Sequence, residues 1–100
     1  MKVDVTTWCA PESLAGKYLA NVLEDIGDEG LVKQVSLYFH KFQTRMNALN
    51  GLDRSMRVFY LGLLLRKTKQ QIETNIRHEK VRTLMMNLII SFYRMELSKM

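Results

Sequence analysis

Val32, Val35, Phe39, Phe42, Met46 and Leu49 follow one another at intervals of three and four residues. That spacing returns to one side of an α-helix at every turn and marks a seam packed lengthwise on another helix. Leu31 and Tyr38 widen the stripe beyond two heptad positions, which suits a globular bundle better than an isolated rod. Asp28 is placed to cap this helix, with Glu29 in its first turn, and Asn50-Gly51 offers left-handed formers at its end. The pattern predicts a helix over 29–49.

Upstream, Pro11 and Glu12 suit the first turn of a helix, because proline needs no N–H there and a carboxylate meets the positive end of the helix dipole. Ala15, Leu19, Val22, Leu23 and Ile26 form its core face and Gly27 its stop, so the first helix is expected over 11–26. Within residues 1–10, Lys2 to Trp8 alternates weakly, with Val3 and Val5 on one side. A lone strand has no partner, so they read as a short extended arm laid on the bundle, with Trp8 as its anchor.

Downstream, Asp53 caps a third helix expected over 53–74. Met56, Tyr60 and Leu63 make one stripe of it; Val58, Leu61, Leu65 and Ile72 make another. A helix apolar on two sides is expected at the centre of a bundle. Gly62 within it costs about 1 kcal/mol against alanine, which predicts a close helix approach or a kink. From Arg66 to Arg82 apolar residues thin out and no Gly or Pro appears. Thr74 or Asn75 can cap a new helix, which places a turn near 74–77; the alternative is one helix of more than forty residues.

A fourth helix over 77–98 is the most apolar, with ten of fourteen residues apolar between Leu84 and Leu97. That surplus predicts either a central position or an interface with a partner or a second copy. With 100 residues, 47% of them apolar, the chain is expected to form a single all-α domain, a compact helical bundle of about four helices.

Charge adds a polarity to this plan. The net charge is +5, yet residues 1–50 carry five Lys/Arg and six Asp/Glu, whereas residues 51–100 carry ten and four. The basic half is therefore the expected face toward an acidic partner. The single cysteine, Cys9, has no disulfide partner in the chain, which fits a reducing, cytoplasmic setting. The most apolar run, between Arg82 and Arg94, spans about 16 Å as a helix against roughly 30 Å for a bilayer core, so no membrane span is expected.

Candidate chemistry is sparse. His40 and His78 stand on different helices with no acid or nucleophile at helical spacing. Glu24, Asp25, Asp28 and Glu29 lack the alternating pattern of a calcium loop, Cys9 has no base near it, and no glycine-rich phosphate loop occurs. The chain is read as a non-enzyme without metal or cofactor.

Its expected work is contact: a small adaptor or modulator bound to a larger protein, with a protein that handles nucleic acid among the partners that suit its charge. Arg66, Lys67, Lys69, Arg77, Lys80 and Arg82 would steer the encounter, with Met85, Met86, Ile90 and Tyr93 as apolar anchors. Two alternatives stand beside it. Residues 68–86 resemble a degenerate helix-turn-helix, with Arg77, Lys80 and Arg82 facing outward, which implies a dimeric DNA- or RNA-binding regulator. Its gap from Ile72 to Ile76 is about two residues shorter than the usual first helix and turn. A small helical chaperone is the other alternative, and a homodimer would form through the fourth helix.

Overall fold

The computed structural model describes residues 14–100. Among them the chain forms α1 (Leu14–Ile26), α2 (Glu29–Ala48), a 3-10 turn (Leu49–Gly51), α3 (Arg54–Asn75) and α4 (Glu79–Ser98). The four-helix all-α fold expected from periodicity is therefore present. The arm over 1–10 and the helix start at Pro11 and Glu12 lie outside the described residues.

Local chemistry sets the boundaries. Gly27 takes φ 72° and its N–H donates to the Leu23 carbonyl at 3.0 Å, which closes α1 in the left-handed geometry that glycine adopts without strain. The Asp28 carboxylate then accepts the Leu31 N–H at 3.1 Å and opens α2. Asp53 accepts the Met56 N–H at 2.9 Å and opens α3. The end of α2 departs from expectation. Neither Asn50 nor Gly51 is left-handed; the chain tightens into the 3-10 turn, and the Leu52 N–H reaches the Leu49 carbonyl at 3.0 Å.

The junction after α3 needs no glycine. Ile76 takes an extended φ of −93° and ψ of 106°, ordinary for a branched residue, and buries its side chain in the core. The single long helix is thereby excluded. Neither Thr74 nor Asn75 caps α4; the His78 ring does, its Nδ1 accepting the Val81 N–H at 3.4 Å. Arg82 points its guanidinium back at the turn, where Nη1 donates to Ile76 O at 2.9 Å and to Arg77 O at 3.3 Å. Asn75 donates to the Tyr38 hydroxyl at 2.6 Å, which ties the same turn to α2.

α4 lies between α1 and α3, and α3 also packs on α2. The core draws on every helix: Leu19 and Leu23 from α1, Val35, Phe39 and Phe42 from α2, Leu61 and Ile72 from α3, and Val81, Met85, Leu88 and Ile89 from α4. Phe39 meets the Phe92 ring edge-on, centroids 6.0 Å apart. Burying one such side chain contributes about 1.5–3 kcal/mol. The surplus apolar surface of α4 is thus mostly absorbed by a central position.

α3 departs from its expected central place. Leu61, Thr68 and Ile72 face inward, but Met56, Tyr60 and Leu63 face solvent. Ala15 of α1 is likewise exposed; Gly16 and Ala20 lie inward instead. The Cα envelope measures 42 × 29 × 17 Å. At about 10 Å per packed helix layer, the molecule is two layers thick, so each helix keeps one side open. No described helix is long and apolar enough to cross a membrane.

Candidate functional site

Two surfaces stand out, and α3 carries both. Its outward stripe runs Met56, Phe59, Tyr60, Leu63 and then Arg66, Lys67 and Gln70, all exposed, so one helix side changes from apolar to cationic within a single turn. The reading of Met56, Tyr60 and Leu63 as core missed this. The available signal was that the same helical face continues into Arg66 and Lys67, which no bundle core accepts unpaired.

Toward α4 the stripe borders an open groove of about 530 Å³ lined by Phe59, Gly62, Leu63, Arg66, Lys69 and Tyr93, among others. A Cβ built on Gly62 would meet nothing within 4 Å, so this glycine neither permits a close helix contact nor interrupts α3. Phe59, 62% exposed, stacks edge-on with Tyr60 at 5.4 Å between centroids.

Other basic residues border three hollows between the middle of α3 and the start of α4. Lys67 lines a shallow hollow with Gln70, Gln71, Thr74 and Asn75. Arg77 and His78 border a second hollow shared with Asp28 and Gln34 at the start of α2. Lys80 and His78 border a third with Leu84. Lys80 also places its ammonium 5.3 Å from the Tyr18 ring centroid, a cation–π contact that tethers it to α1. Between described residues the one ion pair is Lys99–Glu96, at 3.1 Å. Arg66, Lys67, Lys69, Arg77 and Lys80 therefore have no carboxylate within ion-pair distance among the described residues, although Glu73 and Glu79 lie in the same stretch of chain.

The structure sorts the expected contact residues. Arg66, Lys67, Arg77 and Lys80 are exposed and Lys69 is half-buried in the groove wall. Arg82 is half-buried and holds the turn, so its guanidinium is committed inside the chain. Met85 is wholly buried and is not presented to a partner. Met86 and Ile90 are half-buried, and Tyr93 is half-buried at the groove. Most of the open apolar surface of these two helices lies on α3; on α4 Met95 is the large apolar side chain left exposed.

α4 does keep one polar side. Lys80, Thr83, Asn87, Ser91 and Arg94 are all exposed, recur every three or four residues, and include no carboxylate. His40 is exposed on α2 and His78 serves as a cap. Asp28 caps α2, and among the described residues no group of three or more His, Cys, Asp or Glu is arranged to hold a metal ion. Among the described residues no hydrogen bond joins a histidine or carboxylate to a serine, threonine or cysteine side chain.

No protein-family model, curated protein sequence or solved structure gives a significant match to the chain.

Proposed function

We propose that this protein is a non-enzymatic binding module that docks on a larger protein by receiving an acidic surface of that partner on its α3–α4 end. The observation that carries this reading is the set Arg66, Lys67, Lys69, Arg77 and Lys80, left without carboxylate partners among the described residues and spread from the middle of α3 to the start of α4. Unpaired, solvated cations of one sign raise association rates with an anionic surface and discourage cationic ones. Tyr93 and Leu84 beside them supply apolar contact once the encounter has formed. The effect on the partner is occupancy or steric control, and Cys9, without a disulfide partner in the chain, supports a cytoplasmic setting.

A second reading is favoured by the α4 stripe of Lys80, Thr83, Asn87, Ser91 and Arg94, which follows a three-residue junction. Such side chains suit phosphate and base-edge contacts, and α4 would then act as a recognition helix.

One experiment separates the two. The chain is purified from its native cell with and without nuclease, beside a variant carrying Arg66→Glu, Lys67→Glu and Lys69→Glu. An acidic protein retained after nuclease by the parent and lost by the variant is the expected result. Retention of nucleic acid alone, falling with salt at a slope of about −0.9 per phosphate contact, would replace the first reading with the second. A protein partner held equally by the variant would sink the first reading.

A further inference from the structure

Met56, Phe59, Tyr60 and Leu63 are 43%, 62%, 41% and 42% exposed and stand at i, i+3, i+4 and i+7. Four residues so placed are the corners of the hole that receives a side chain from a facing helix. No described element of the chain covers them. The edge-on Phe59–Tyr60 pair already holds two large rings in place, so covering them orders little that is not ordered beforehand.

We infer that a second copy of this chain covers this stripe, with the two α3 helices antiparallel about a two-fold axis. Charge decides both the occupant and the direction. Setting Phe59 against Tyr60 of the second copy fixes the rest of the register. Met56 then faces Leu63 of that copy, and Asp53 faces its Arg66. Every pair is reciprocal, as a two-fold requires. Asp53 is exposed, and only its Oδ1 is engaged with the Met56 N–H, at 2.9 Å. The carboxylate that opens the helix thus meets the cation that ends the apolar stripe, and the complement to this surface is written in the chain itself.

A parallel pair would set Arg66 on Arg66 and Lys67 on Lys67. The antiparallel register instead separates the two Lys67 positions by about 22 Å along the axis, at 1.5 Å per residue. That exceeds the screening length of about 8 Å at physiological salt. Lys69, Arg77 and Lys80 stay outside this contact; Arg66 alone is shared with the proposed acidic-partner set, so Phe59→Asp, which leaves every cation in place, separates the two readings.

Sedimentation equilibrium on the full chain tests it. At about 100 μM, well above the micromolar range of a small interface, the expected mass is twice 11.7 kDa. Phe59→Asp should weaken the pair at least about tenfold with the circular dichroism spectrum kept, because Phe59 lies outside the core. Arg66→Glu should weaken it as well. In a Cys9→Ser background, Tyr60→Cys should oxidise to an intermolecular disulfide and Lys67→Cys should not. A monomer at every concentration overturns the inference even if an acidic protein partner is still captured. So does a dimer indifferent to Phe59→Asp, or one that cross-links at Lys67→Cys and not at Tyr60→Cys.

Discussion

The guanidinium of Arg82 donates to the main-chain carbonyl of Ile76 across the turn that separates α3 from α4, at 2.9 Å. A second contact, to Arg77 O at 3.3 Å, uses the same Nη1. Both carbonyls lie past the end of α3, where helix geometry supplies no donor. A hydrogen bond from a charged donor is worth about 1.5–3 kcal/mol.

Arg82→Ala should therefore lower stability by about 2 kcal/mol, read as a shift of the urea midpoint with an unchanged slope. Arg82→Glu should cost at least as much. If Arg82 serves only to steer a partner, neither change will move the midpoint.

His78 caps α4 through a long contact, 3.4 Å from Nδ1 to the Val81 N–H. Aspartate is a stronger cap and places a negative charge at the positive end of the helix dipole. His78→Asp should raise stability by about 0.5–1 kcal/mol, measured by thermal unfolding near neutral pH. His78→Ala should lower it. Equal melting temperatures for all three would show that the ring does not cap the helix in solution.

Gly62 sits inside a helix of 22 residues with open space where a Cβ would stand. Gly62→Ala should stabilise the fold by up to about 1 kcal/mol, seen as a higher urea midpoint. A loss of stability would mean that the groove beside Gly62 is closed in solution.

Helix existence was legible because the chain repeats its apolar residues at helical intervals and places Asp28 and Asp53 where caps belong. The junction between α3 and α4 was placed within two residues, but its chemistry was hidden. Histidine is not a preferred cap, and no local signal links Arg82 to a carbonyl six residues back. The 3-10 turn after Ala48 was also hidden, since Asn-Gly favours but does not require a left-handed end. The largest miss was the orientation of α3. Its two stripes, one through Leu61 and one through Tyr60, are equally apolar in sequence; only the placement of α2 and α4 on the Leu61 side decides which is core.

Of the expected contact surface, the exposed cations were legible from their density between Arg66 and Arg82. Met85 and Met86 are adjacent and chemically alike, yet one is wholly buried and the other half-buried. A rotation of one residue, about 100° around α4, separates them, and sequence alone does not fix that angle.

The packing of α1 against α4 ties the opening of the described chain to its last quarter. Leu19 and Leu23 share one core with Val81, Met85 and Ile89, and α4 is the main neighbour of α1. A nascent chain halted before that point can pack α2 on α3 but leaves α1 without its main neighbour. Completion of the core is thus deferred until α4 is available to pack.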